Sequence, residues 1–205
     1  MQSGRFRQWL AEQGCGFREL GPSGQSASVE VRHGDRRAVL APQDAGEPVE
    51  ESVVLQTVKA LGLRCSDLPG RWEHFPHGAD IGVRGIGYTL ARAFAEAARA
   101  MTAAAVDPDE IRPASAVDVS CEGRNPEDLL YAWLNAVVYE MAVRRMLFGK
   151  FEVEIEGGTL RAVARGEPVS QSRHEPAVEI KGATMTALSV RRENDEWIAQ
   201  CVVDV

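Results

Sequence analysis

A chain of 205 residues with 44% hydrophobic and 26% charged residues has the balance of a globular protein, one large domain or two small ones. No run approaches the ~18 apolar residues of a membrane span, and the opening MQSGRFRQWL lacks the apolar core of a signal peptide, so the expectation is a cytoplasmic protein without a membrane partner. A net charge of −7 excludes nucleic-acid binding through the overall field, leaves only local patches for RNA, and gives no reason to expect DNA.

The first segment opens with SGRFRQWLAEQG, an amphipathic helix with Phe6, Trp9 and Leu10 on one face and Gly14 and Gly16 to stop it. Extended pieces CGFREL, SVEVRH and RAVLAP follow, the last two joined by a tight turn at His33-Gly34-Asp35. EESVVLQTVKALGL then places Val54, Val58 and Leu61 on one helical stripe, with acids at its start and Gly62 at its stop. Leu68-Pro69-Gly70 is a turn or linker signal that separates residues 1–68 from residues 71–205.

The second segment begins with WEHFPHGADIGVRGIG, which spaces His74, His77 and Asp80 three residues apart. A metal site, an acid/base pair and a strand running into a turn are the competing readings. Residues three apart on an extended chain point to opposite faces, and Pro76 opposes a helix, so a histidine zinc site is disfavoured. His74 reads as a surface residue, His77 as a hydrogen-bonded residue that shapes the turn. Gly82, Gly85 and Gly87 imitate a dinucleotide-binding pattern without its strand–helix context and read as loop glycines.

YTLARAFAEAARAMTAAA reads as a helix capped by Thr89, with Leu90, Phe94, Ala97 and Met101 apolar and Arg92, Glu96 and Arg99 opposite. A second helix is capped by Asn125, opens with Pro126, buries Leu130, Trp133, Leu134, Val137 and Met141, and is stopped by Gly149. VDVSCE precedes it. FEVEIE alternates with Phe151, Val153 and Ile155 inward, and Gly157-Gly158 turns it into TLRAVARG. AVEIKGATMTALSV and WIAQCVVDV form a further pair joined around Glu193-Asn194-Asp195. The fold class is therefore α+β, a two-layer domain of two helices on a mainly antiparallel sheet, preceded by a small α-β-β-β-α module.

The chemistry suggested is not catalytic. Cys15, Cys65, Cys121 and Cys201 are scattered and fit buried reduced thiols. No nucleophile stands beside a base and no phosphate loop occurs.

GFREL, VEVRHGDRRAVLAP and the closing ALGL together resemble the HicA family of small toxin ribonucleases, whose fold is similar to a double-stranded-RNA-binding domain. The resemblance places that family's catalytic histidine within Gly24-Gln25-Ser26-Ala27-Ser28-Val29, where this sequence has none, which implies an inactive RNA- or partner-binding module over residues 1–68. Residues 1–70 hold eight Lys/Arg against nine Asp/Glu, no basic surplus, so RNA contact rests on the cluster Arg32, His33, Arg36 and Arg37, which otherwise reads as a solvated hairpin tip. A toxin-like ribonuclease acting through residues 1–68 is the alternative function.

WEHFPHGADIGVRGIGYTLARAFAEAARAM, GRNPEDLLYAWLNAVVYEM, RHEPAVEIKGATM and WIAQCVVDV, in that order, resemble the archease family over residues 71–205. The resemblance implies a non-catalytic accessory factor for RtcB-type tRNA-splicing ligases, which join RNA ends using GTP and a metal; the factor promotes ligase guanylylation and repeated turnover. It also implies metal ligands at Asp80, Asp204 and Val205, an oxygen-rich set suited to Ca²⁺, and a ligase contact at Lys181. Gly78 replaces a family threonine and is expected to loosen its turn. Ala136 follows Asn135 where the family has an acid, and Met185, read as core filling, replaces a tyrosine. His174 and Glu167 match family positions and read as structural. A metal-stabilised interaction protein with no ligase partner is the remaining alternative.

Overall fold

A computed structural model describes residues 1–21 and 27–205, except the Ser66 side chain. Of residues 24–29, where the resemblance places the ribonuclease family's histidine, 24–26 lie outside the described residues. The chain divides into two compact units, Met1–Pro69 and Gly70–Val205.

In the first unit α1 (Ser3–Glu12) leads to β1 (Gly16–Leu20), β2 (Ser28–His33) and β3 (Arg36–Leu40), then α2 (Glu51–Ala60). The strands form an antiparallel sheet in the order β1-β2-β3. Phe6, Trp9 and Leu10 of α1, Val54 and Val58 of α2, and Val29, Val31 and Leu40 of the sheet are buried. The Trp9 indole donates to Asp67 O at 3.0 Å, so the one polar atom of a buried ring is satisfied.

The second unit runs β4 (Gly70–His77), β5 (Asp80–Gly87), α3 (Leu90–Ala103), β6 (Ser115–Glu122), α4 (Pro126–Arg144), β7 (Met146–Glu156), β8 (Thr159–Pro168), the short α5 (Gln171–His174), β9 (Gly182–Ala183), β10 (Ser189–Glu193) and β11 (Glu196–Asp204). Its strands are divided between two antiparallel sheets. One has the order β10-β11-β5-β4, with β9 also on β11; the other is β6-β8-β7.

Helix α3 packs on β5, β4 and β11 and also on β7, so it lies between the sheets. That position overturns the expected one-sided stripe: Ala95, Glu96, Ala98 and Ala100 are buried along with Phe94, Ala97 and Met101. Glu96 is buried as an ion pair, 2.5 Å from Arg92 and 3.6 Å from Arg99. Thr89 caps the helix by accepting from Arg92 N at 3.1 Å.

Gly82, Gly85 and Gly87 are strand residues of β5, which corrects the loop reading. A Cβ on Gly85 would lie 2.1 Å from Ala93 O and Ala97 N, so the backbone of α3 rests directly on the strand. A Cβ on Gly82 would meet the Phe75 ring at 2.4 Å.

In α4, Asn125 Oδ1 accepts from Asp128 N at 2.7 Å. The helix ends at Arg144, with Arg145 left-handed at φ 52°, not at Gly149. Gly149 sits instead inside β7 at its bulge, where a Cβ would be 2.2 Å from Pro108 O. Trp133 is fully buried, packs edge-on to Phe151 at 5.8 Å, and donates to Phe94 O at 3.1 Å. The expected strand AVEIKGATMTALSV is reduced to Gly182–Ala183 and Ser189–Glu193; Ala187, at φ 51°, breaks the extended path between them. Among the described residues no helix is long and apolar enough to cross a membrane.

Gly85→Ala is expected to destabilise the second unit by about 1–3 kcal/mol, because overpacking must push the helix off the strand. Gly16→Ala, at a position with nothing within 4 Å, is expected to change stability by less than about 0.5 kcal/mol. Urea unfolding of the two variants measures the contrast.

Candidate functional site

The β4–β5 hairpin ends in Gly78 and Ala79 between the paired His77 and Asp80. Gly78 has φ 60° and Ala79 is not among the positive-φ residues, the glycine-first pattern of a type II′ turn. Glycine therefore suits this turn rather than loosening it. Strand β5 pairs with β11 from Gly87↔Trp197 to Ile81↔Val203, and one further step of the same register sets Asp80 opposite Asp204. Directly opposed residues of an antiparallel pair share a face. Val83, Ala199, Cys201 and Val203 turn into the core, so the two carboxylates emerge on the other face.

Strand β9 closes the far side of β11, with Gly182 opposite Asp204. Lys181 N donates to Asp204 O at 2.9 Å. The Lys181 ammonium donates to Val205 O at 2.8 Å and stands 3.7 Å from Asp204 Oδ1. Both side chains are more than half exposed, so solvent screens the pair and its attraction is modest.

Asn135 holds this lysine segment in place, a role the sequence reading missed. From α4 its amide Nδ2 donates to Ala183 O at 3.1 Å and to Tyr131 O at 3.0 Å, and its Oδ1 accepts from Ala183 N at 3.1 Å. The available signal was an amide two residues after Trp133 on a helix whose neighbouring turns are apolar.

Lys181, Asp204 and the Val205 main-chain oxygen thus gather at the ends of β9 and β11, with Asp80 at the adjoining end of β5 by continuation of the register. Among the described residues no group of three or more His, Cys, Asp and Glu side chains is placed to hold a metal ion, so any cation here needs an oxygen from Val205 as a third donor. Oxygen donors of this kind fit a hard cation. The histidines do not join them as a pair. Strand alternation puts His77 on the Asp80 side, its imidazole without a hydrogen bond among the described residues, contrary to the turn-shaping side-chain bond expected of it. His74 is exposed and faces the helix side, its Nε2 2.7 Å from Ala100 O. Met185 is 67% exposed and fills no core.

Thiol chemistry is disfavoured by burial, which pushes Cys121 up to about 11 and Cys201 to about 12. Glu167 serves the scaffold. It accepts from Arg173 at 2.5 Å and from Arg112 N at 2.6 Å, with the buried His174 at 3.5 Å. The Arg173 bond first, then the Arg112 amide, hold its carboxyl down at about 2.

In the first unit the register separates the expected basic cluster. Arg32 lies opposite Arg37, and His33 opposite Arg36. His33 and Arg36 turn to the helix side, where His33 Nδ1 is 3.0 Å from Leu61 O and Arg36 occupies the space beside Gly62. Alternation along β2 and β3 sends Arg32 and Arg37 to the opposite face, so the four residues do not form one surface.

Residues 72–205 match the Archease protein family (MTH1598/TM1083). The protein archease of Pyrococcus furiosus is 37% identical over 140 residues, 66% of this chain and 99% of that protein. The archease of Methanopyrus kandleri is 36% identical over 138 residues, 65% of this chain and 99% of that protein. The solution structure of Methanobacterium thermoautotrophicum protein 1598 is similar with a TM-score of 0.59 and 26% identity, covering 65% of this chain and 98% of that one.

Asn135→Ala is expected to cost about 1–3 kcal/mol, since the Ala183 N–H and C=O lose their partner, and to speed amide exchange at Ala183 before any other strand of its sheet; hydrogen-exchange mass spectrometry reads this. For Glu167 the folded state favours the ionised form. Its stabilisation is complete above the ordinary glutamate range and is lost as pH falls through about 2. Acid unfolding of Glu167→Gln is expected to show a shallower pH dependence over that window.

Proposed function

On the premise that residues 72–205 make this chain a member of the archease family, we propose that it is a non-catalytic activator of an RtcB-type RNA ligase, promoting formation of the ligase–guanylate intermediate and multiple turnover in tRNA splicing. The observation that carries the reading is the strand register, which sets Asp80 beside Asp204 and brings Lys181 to the same end of the sheet. In this reading the β5–β11 ladder, continued by one residue, brings the two carboxylates to the same strand ends.

Asp80, Asp204 and the Val205 oxygen would hold a divalent cation, Ca²⁺ before Zn²⁺ because the three donors are all oxygens. When bound, such an ion supplies positive charge that can meet an anionic group of the partner. Lys181 offsets part of the Asp204 charge without it, and its exposed ammonium is available to the ligase surface.

The test is multiple-turnover RNA ligation by an RtcB-type ligase with GTP, with and without the full chain. The parent protein is expected to raise turnover, and Asp80→Ala to lower that stimulation at least about tenfold. An active ligase that ignores the folded parent protein contradicts the reading.

A further inference from the structure

The open face of the β1-β2-β3 sheet carries charge that the carboxylate site does not use. Register places Arg32 opposite Arg37, and Glu30 between Arg18 and Val39. Alternation puts these residues on the face turned away from the buried Val29, Val31 and Leu40. Arg18, Arg32 and Arg37 are exposed. Arg32 pairs with the nearly buried Glu30 at 2.7 Å. The side chains of Arg18 and Arg37 make no hydrogen bond or short ion pair among the described residues.

Three guanidiniums therefore surround one carboxylate, leaving a local charge of +2 on a unit with no net positive charge. The Arg32 hydrogen bond, with Arg37 and Arg18 adding to it, holds the Glu30 carboxyl below the usual glutamate range. Direct and diagonal neighbours on a sheet are about 5 and 7–8 Å apart, so the arginine tips lie within reach of successive phosphates of one strand. Phe17 belongs to the other face, opposite Val31, which leaves no ring on which a base would stack.

We propose that Arg18, Arg32 and Arg37 form a binding face for the phosphate backbone of single-stranded RNA, without sequence preference. Charge complementarity selects a polyanion, and guanidinium forks suit phosphate oxygens. The choice of RNA rests on the ligase reading above, in which RNA ends are the substrate at hand. The face would keep an RNA strand near the ligase without contributing to its chemistry.

The test uses the full chain without ligase, so it succeeds or fails separately from the ligation experiment. Fluorescence anisotropy follows a labelled 12-nucleotide RNA of mixed sequence. Two to three neutralised phosphates give a salt slope of about −1.4 to −2.1, or about a 7- to 18-fold loss of affinity from 50 to 200 mM salt. Arg18→Gln with Arg37→Gln is expected to flatten that slope by about 1.4, with circular dichroism reporting an intact fold. Lys59→Gln with Arg192→Gln removes the same charge elsewhere and is expected to leave binding unchanged. No RNA binding at 50 mM salt, equal loss in both double variants, or displacement of RNA by an oligoglutamate peptide at equal charge concentration would overturn the proposal.

Discussion

The Gly70–Val205 unit depends on how closely α3 approaches β5. At Gly85 the helix backbone occupies the space where any other residue would hold its Cβ, and Gly87 faces a similar approach from Ala93 N. This close seat lets one helix serve two sheets, with β7 on its far side. It also explains why α3 is rich in alanine and why its charged Glu96 is enclosed by Arg92 and Arg99 rather than by water. A buried carboxylate so paired adds little net stability over an apolar residue, but removing one partner alone leaves an expensive charge behind.

The same strand carries the site. Because β5 is pinned along its length by the helix beneath and by β11 beside it, the position of Asp80 at its first residue is set by the ladder. Asp204 and Gly182 continue the row, and Asn135 fastens the β9 segment from the helix side. The ionic contacts themselves are weak, since they lie in water. What the fold contributes is placement: continuing the β5–β11 register by one residue sets two acidic residues across from each other, an arrangement that favours a cation, a lysine or a complementary partner group. Lys181 meets part of that demand within the chain.

Local chemistry made much of this fold readable. Thr89 and Asn125 announce helix starts through side-chain oxygens that must satisfy amides three residues on, and both do so. Gly157-Gly158 and Asn194-Asp195 mark turns because they accept positive φ, and all four adopt it. What escaped was whatever depends on distant neighbours. Gly82, Gly85 and Gly87 resemble loop residues until α3 and Phe75 are seen to fill their missing side chains. Gly149 resembles a helix stop until Pro108 is found against it. The Arg32–Arg37 cluster looked continuous along the chain, but strand alternation divides it between two faces. The pairing of Asp80 with Asp204 is likewise invisible to periodicity, because it needs a register set far away in sequence; only resemblance to a family brought those positions together beforehand.

In the proposed role Asp80 and Asp204 act as one site in ligase activation. A double-mutant cycle with Asp80→Asn and Asp204→Asn, read as stimulation of multiple-turnover ligation, measures this directly. Each single variant is predicted to lose most of the stimulation and the double variant to lose hardly more, giving strong non-additivity. Independent effects that multiply in the double variant would mean that the two carboxylates do not form one site.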